Sequence, residues 1–255
     1  MSKREHSLAG KVALVTGGRR GIGRTIALAF AEAGADVSVC DIVVEDGQLE
    51  GVAKKIQGLG RRSLAVQADT SRRVEVENLF NKVAEKFGRI DILVNNAGIG
   101  VPGRLVDLKE DEWDRVLNVN LKGYYLCAQA AAMGMMEQKG GNILCTASQF
   151  AFKAASGLGV YSIAKAGVVM LTRVLARELG SYGIRVNAIA PGLVRTELSR
   201  HDWDDPDLRS QREAAIPLGR VAETEDLVGL ALFLCSDASS YITGTTILVD
   251  GGELA

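Results

Sequence analysis

Short apolar runs rich in β-branched residues alternate with longer segments of helical spacing along almost the whole chain. The runs at 11–16, 36–41, 63–67, 91–95, 142–147, 185–190 and 245–249 read as strands. Most are nearly continuous in hydrophobics, the pattern of parallel strands covered on both faces. Between them the apolar positions recur with the helical period over 22–33, 46–59, 72–87, 111–138, 160–181 and 223–235. Strand–helix alternation with right-handed crossovers predicts an α/β fold, a doubly wound parallel seven-stranded sheet with helices on both faces. No repeat, proline-rich linker or low-complexity block interrupts it, so 1–255 reads as a single domain. In such sheets the ligand lies beyond the carboxyl ends of the strands, where the winding reverses. Functional motifs are therefore expected just after strands.

Composition narrows the classes. Hydrophobic residues at 47% and charged residues at 24% exclude a disordered chain. With 30 basic and 31 acidic side chains the net charge is −1, which gives no attraction to nucleic acid or an anionic membrane. Segment 1–10 is polar and the apolar run after it, 12–15, is too short for a signal sequence or a membrane span. Cys40, Cys127, Cys145 and Cys235 are widely spaced, three of them in apolar stretches, and read as buried free thiols of a cytoplasmic protein. His6 and His201 are isolated, no Cys or His cluster has ligand spacing, and no metal is expected.

The first strand runs into Thr16-Gly17-Gly18-Arg19-Arg20-Gly21-Ile22-Gly23 and then into an apolar-periodic helix. Glycines there let a pyrophosphate approach bare backbone, and the helix N-terminus points unpaired N–H groups at it. The spacing is Gly-x-x-x-Gly-x-Gly, not Gly-x-Gly-x-x-Gly, because Ile26 stands where the third glycine would fall. The second strand ends at Asp41, 18 residues beyond Gly23. A carboxylate at that place accepts the adenosine ribose hydroxyls and repels a 2′-phosphate, which favours NAD. Arg20 argues for NADP, since a guanidinium in the loop can pair with that phosphate. Alternatively Arg19 and Arg20 are simply solvated. Asp41 carries more weight because its repulsion acts at contact.

Tyr161 and Lys165 lie four apart near the start of a long helical pattern and so share one face. An ammonium beside a phenol stabilises the phenolate, bringing its pKa from about 10 toward working pH, as a general acid/base needs.

Taken in order, the glycine loop, Asn95-Asn96-Ala97-Gly98, Asn120, Ser148 thirteen residues before Tyr161, Tyr161 with Lys165, and Pro191-Gly192 resemble the short-chain dehydrogenase/reductase family, over about Gly10 to Gly252. The resemblance implies a compact Rossmann-type enzyme that interconverts an alcohol and a ketone with NAD or NADP. It implies that Tyr161 moves the proton, Ser148 holds the reacting oxygen, Lys165 binds the nicotinamide ribose, and Asn120 anchors a water leading to solvent. Gly17, Arg19, Arg20, Gly21, Ile22 and Gly23 would hold the phosphates, and Asp41 with Ile42 the adenosine ribose. Asp69 and Thr70 would contact adenine, and Asn96, Ala97 and Gly98 would line the trough. Pro191, Gly192, Val194 and Thr196 would hold the carboxamide. Ala147 and Ala151 depart from the family pattern, on the substrate side.

Segment 193–217 resembles a substrate lid, charged and carrying His201, Trp203 and Pro206. Gln149, Phe150 and Phe152 are expected as a second wall. Such walls suit a sugar, a polyol or another small secondary alcohol first, and a 3-oxoacyl thioester next. In the 3-oxoacyl-(acyl-carrier-protein) reductases the carrier docks on basic residues near the ends of two long helices. Here those places read Glu137-Gln138-Lys139 and Tyr182, leaving one lysine. A non-catalytic dinucleotide sensor is a further alternative, although it would not need Tyr161 or Lys165. An enoyl reductase would need a lysine seven after Tyr161, where Val168 stands. Sugar-nucleotide epimerisation takes an additional substrate domain. The helices 111–138 and 160–181 are apolar over more than one stripe, and the family resemblance implies a homotetramer.

Overall fold

The computed structural model describes residues 6–255; the first five residues of the span 1–255 lie outside the described residues. Seven strands, β1 (Val12–Thr16), β2 (Asp36–Asp41), β3 (Ser63–Gln67), β4 (Ile92–Asn95), β5 (Gly141–Thr146), β6 (Ile184–Pro191) and β7 (Thr246–Val249), form one sheet in the order β3-β2-β1-β4-β5-β6-β7. Every pairing is parallel. The order reverses between β1 and β4, which fixes the cleft for a ligand above their carboxyl ends. The doubly wound fold predicted by the alternation is therefore present, and each expected strand lies within about a residue of its place.

Among the described residues nine helices flank the sheet: α1 (Gly21–Glu32), α2 (Gln48–Gly58), α3 (Arg73–Phe87), α4 (Glu110–Leu117), α5 (Gly123–Glu137), α6 (Gly159–Leu179), α7 (Arg200–Asp204), α8 (Pro206–Ala215) and α9 (Val228–Cys235). The strands alternate their side chains between two cores. Val12, Leu14, Leu93, Ile143 and Val186 pack with Leu79, Val83, Tyr124, Ala128 and Val168 of α3, α5 and α6. Ala13, Val15, Val39, Ile92 and Leu144 pack on the other face with Ile26, Phe30, Val52, Ile56 and Leu234 of α1, α2 and α9. Burying each Val, Leu, Ile or Phe contributes ~1.5–3 kcal/mol, so continuous apolar strands are worth covering on both sides. All four cysteines are buried and free.

Two expectations are corrected. The single helix expected over 111–138 is α4 and α5 joined by a π-helical turn, Asn118–Lys122. One widened turn changes which face follows it without breaking the rod, and such bulges concentrate at functional sites. The segment 193–217 contains the helices α7 and α8. Asp205 caps α8 through its side chain, accepting from the N–H groups of Asp207 and Leu208, with Pro206 at the first helical position. Among the described residues one helix, α6 with its terminal turn, is long and apolar enough to cross a membrane by length and composition. In the fold it packs on the sheet, with Val168, Val169 and Thr172 buried.

Candidate active site

The glycine loop leaves β1 at its carboxyl end and is held by close packing. Gly17 takes φ +63, and a Cβ there would lie 2.9 Å from the Ala97 Cα. A Cβ on Gly23 would lie 2.3 Å from the Gly17 carbonyl oxygen. Asn96 ties this loop to the end of β4: its Nδ2 donates to the carbonyls of Thr16 (3.0 Å) and Gly17 (3.3 Å). Thr16 Oγ1 in turn accepts from the N–H groups of Asn96 (2.9 Å) and Ala97 (3.1 Å). Among the described residues no side chain caps the first turn of α1, whose N-cap is Arg20, so the N–H groups of that turn stay open toward the loop. A small anionic group fits that bare, positively polarised cradle.

At the end of β2 the structure differs from the solvated-arginine alternative for Arg19. Its side chain is buried, pairing with Asp46 and lying 3.5 Å from Asp41. Arg20 is exposed. Asp41 Oδ1 also accepts from the Val43 N–H at 3.1 Å, and Ile42 beside it is exposed. Beyond β3, Asp69 turns inward on its own loop, accepting from the N–H and hydroxyl of Ser71. Buried Thr70 lies against Gly123, at the start of α5.

The opposite end of the cleft is built by β5, α6 and the π turn. Asn120 is fully buried and holds the Ile99 main chain from both sides, accepting from its N–H at 2.8 Å and donating to its carbonyl at 2.7 Å. A Cβ on Gly98 would lie 3.4 Å from Asn120 Oδ1 and 3.9 Å from Lys165 Nζ, so Gly98 keeps the floor open beside that ammonium. Ser148 follows β5 in an extended conformation, its hydroxyl accepting from the Phe150 N–H at 3.2 Å. Tyr161 and Lys165 share a face of α6, with Nζ 5.6 Å from the phenol ring centroid. Lys165 donates to the Thr146 carbonyl at 2.7 Å and to the Tyr124 hydroxyl at 3.1 Å.

The electrostatics differ from the sequence expectation. Part of Tyr161 still reaches the cleft, yet the protein encloses it closely enough that burial pushes its pKa up to about 12, opposed by the Ser148 hydroxyl. Burial likewise pushes Lys165 down to about 7, opposed by Cys145. In the chain alone desolvation outweighs the effect of the ammonium on the phenol, because both groups lose water together.

Pro191 ends β6, and the Gly192 N–H donates to the Val249 carbonyl at 2.9 Å. A Cβ on Gly21 would lie 3.4 Å from Thr196 Cγ2, so the start of segment 193–217 overlies the glycine loop. Val194 is buried, and Trp203 Nε1 donates to the Thr196 carbonyl at 3.0 Å, tying α7 to this turn. Phe150 is half-buried. Gln149 is buried with its Nε2 on Glu253 at 3.0 Å, so its hydrogen bonding is directed to the C-terminal segment. His201 is exposed, and among the described residues no cluster of metal ligands forms. Tyr124 and Thr146 were not singled out by sequence reasoning; the one signal for Tyr124 was its place one turn after Asn120.

A family model described as enoyl-(acyl carrier protein) reductase matches residues 17–253. The 3-oxoacyl-(acyl-carrier-protein) reductase FabG of Staphylococcus epidermidis is 43% identical over 242 residues, covering 95% of this chain and 98% of the relative. A solved short-chain type dehydrogenase/reductase from Mycobacterium marinum superposes with a TM-score of 0.93 at 40% identity, over 100% of both chains. A gluconate 5-dehydrogenase from Burkholderia cenocepacia J2315, solved in complex with NADP and tartrate, gives a TM-score of 0.94 at 34% identity, covering 99% of this chain and 98% of that one. With its sheet order, its glycine loop and these relatives, the chain belongs to the short-chain dehydrogenase/reductase family of oxidoreductases.

Proposed function

We propose that this oxidoreductase interconverts a small secondary alcohol (a sugar, a polyol or a similar alcohol) and its ketone, with Tyr161 as the general acid/base. The observation that carries the reading is the convergence of Tyr161, Lys165 and Ser148 on the cleft above β1 and β4, opposite the uncapped glycine loop. A nicotinamide dinucleotide supplies the hydride in this chemistry. Gly17, Gly21, Ile22 and Gly23 would hold its phosphates, Asp41 its adenosine ribose, Asn96, Ala97 and Gly98 the trough, and Pro191, Gly192, Val194 and Thr196 its far end. Ser148 orients the reacting oxygen, Tyr161 gives or takes the proton there, and Lys165 keeps a donor on the trough side of the phenol. A phenol with a raised pKa stays protonated at neutral pH, the form that donates to a carbonyl.

NAD is the preferred cofactor in this proposal, on the strength of Asp41. NADP is the second reading, favoured by the pairing of Arg19 with Asp41, which offsets the carboxylate charge. A second substrate reading, a 3-oxoacyl thioester on its carrier protein, is supported by the 43% identical relative. Against it stands the end of α5, where Glu137-Gln138-Lys139 offers a carrier one cation. Segment 193–217 would act as the lid, and a homotetramer is supported by Met133, Ile163, Met170 and Val174 exposed on α5 and α6. The buried free thiols fit a cytoplasmic setting.

The test is a panel of sugars, polyols and acetoacetyl thioesters assayed with each dinucleotide. Turnover of a polyol or sugar above the thioester supports the first reading, and the reverse order selects the second. A parent enzyme that binds dinucleotide but turns over nothing leaves the sensor alternative.

A further inference from the structure

Tyr124 lies on α5 one turn beyond Asn120, and the π turn that precedes it aims its phenol beneath Lys165. The side chain is 1% exposed. A tyrosine hydroxyl at that depth requires partners, and it has two. Lys165 Nζ donates to it at 3.1 Å, and it donates in turn to the Thr146 carbonyl at 3.1 Å. Thr146 also receives Lys165 directly at 2.7 Å, closing a triangle of ammonium, phenol and carbonyl. Because the hydroxyl proton is committed to Thr146, the phenol oxygen presents its lone pairs to the ammonium. A lysine has three donors, so two are used inside the fold and one is left for the side of Gly98 and Tyr161.

We propose that Tyr124 is a positioning residue for Lys165: its hydroxyl, oriented by Thr146, favours the charged form of the ammonium against the effect of burial and turns the remaining N–H toward the cofactor trough. The proposal rests on the reading of Tyr161 and Lys165 given above. Other titratable groups face Lys165 from each packed element. They are Tyr161 on its own helix, Cys145 from β5, and, behind Tyr124 on α5, Cys127. Among the described residues no carboxylate pairs with Lys165. Neutral acceptors therefore carry the stabilisation of its charge, and Tyr124 and Thr146 are two of them. Removing the phenol oxygen lowers the proton affinity of Lys165, so Tyr161 ionises with less help from a cation. The apparent pKa governing alcohol oxidation then rises.

The experiment compares the parent with Tyr124→Phe and, as a control on the same helix, Tyr125→Phe, whose side chain is exposed. Tyr124→Phe is expected to move the rising limb of kcat/KM for alcohol oxidation to higher pH by about one unit, an approximately tenfold loss at pH 7. NADH affinity, read by fluorescence titration, is expected to weaken by about threefold to tenfold, the scale of one mis-aimed hydrogen bond. Tyr125→Phe should change neither. If Tyr124→Phe does not fold, 3-fluorotyrosine at position 124 keeps the shape, weakens the oxygen as an acceptor and should shift the limb in the same direction by less. An unmoved limb with unchanged NADH affinity in the folded variant overturns the proposal. Failure of the parent to bind either dinucleotide overturns the reading beneath it, and this proposal with it.

Discussion

Arg19 lies against Asp41, its Nε 3.5 Å from the carboxylate, while the same guanidinium pairs with Asp46. Arg19 is buried and its Nε makes no hydrogen bond to any described residue, so the group is held by charge rather than by a full set of donors. The two carboxylates thus compete for one cation beyond the carboxyl end of β2. Asp41 presents less net negative charge there than its place at the strand end suggests. If the proposed dinucleotide places its adenosine ribose here, discrimination between NADH and NADPH depends on how firmly Asp46 keeps Arg19 in place.

Asp46→Ala leaves Arg19 free to turn toward a 2′-phosphate. The ratio of NADPH to NADH affinity is expected to rise about threefold to tenfold, the scale of one hydrogen bond. Fluorescence titration with both nucleotides measures it. Asp41→Ala should instead weaken NADH by about tenfold while leaving NADPH nearly unchanged. If neither ratio moves, these carboxylates do not select the cofactor.

Tyr161→Phe removes the proposed proton carrier, a single oxygen, and leaves the ring in place. Turnover on the best substrate is expected to fall about 10²- to 10⁴-fold, the usual contribution of general acid/base catalysis. NADH binding should hold within about twofold, because the ring still walls the trough. Steady-state kinetics and fluorescence titration separate the two quantities. A variant as fast as the parent would remove the phenol from the mechanism.

The fold was legible because it follows from periodicity alone. Val12 to Val15 must be covered on both faces, and the cores on either side divide them alternately. The motif residues were legible as a spacing, and the structure brings Asn96, Gly98, Asn120, Ser148, Tyr161 and Lys165 around one cleft. What stayed hidden depends on through-space geometry. Tyr124 reads as one more aromatic in an apolar helix until the π turn aims it at Lys165. Asn118-Val119-Asn120 carries no helix breaker, so nothing in the residue types marks the widened turn. The helix α8 lacks an apolar stripe, and its one local signal, Asp205 followed by Pro206, lies in a charged stretch. Arg19 needed the loop conformation before its partners could be named.

Lys165 links the site to stability. Burial lowers its pKa from 10.5 to about 7, so between those values the unfolded chain binds more protons than the folded one. Folding stability therefore gains from this group as pH rises above about 7, and below that value the full penalty of burying the ammonium applies. Tyr161, Cys40, Cys145 and Cys235 are raised instead, so their stabilising effect is lost at higher pH, above their ordinary values of 9 to 10. The clean window is pH 7 to about 8.5. Across it, the melting temperature of the parent should climb relative to Lys165→Met, in which the other groups cancel. A constant difference between the two would show that Lys165 keeps its charge when buried.

The glycine loop gives the sharpest structural test, because its closest approach is to backbone. A Cβ on Gly23 would stand 2.3 Å from the Gly17 carbonyl oxygen and 2.5 Å from Asn96 Nδ2. The amide of Asn96 can yield only by giving up its bonds to the Thr16 and Gly17 carbonyls, and the carbonyl cannot yield without moving the loop. Gly23→Ala is therefore expected to cost about 1–3 kcal/mol, as overpacking does. In a chain of this size that lowers Tm by roughly 2–4 °C for each kcal/mol. NADH affinity should fall with it, since the displaced carbonyl enters the cradle proposed for the phosphates. Gly51→Ala is the counterpart: Gly51 lies inside α2 with open space around its Cβ position. There the same methyl should stabilise by about 0.5–1 kcal/mol through helix propensity and leave NADH binding unchanged. Calorimetry and nucleotide titration on both variants read the two effects together. If Gly23→Ala melts and binds as the parent does, the loop is looser than its packing requires, and the cradle it forms for a phosphate is not rigid.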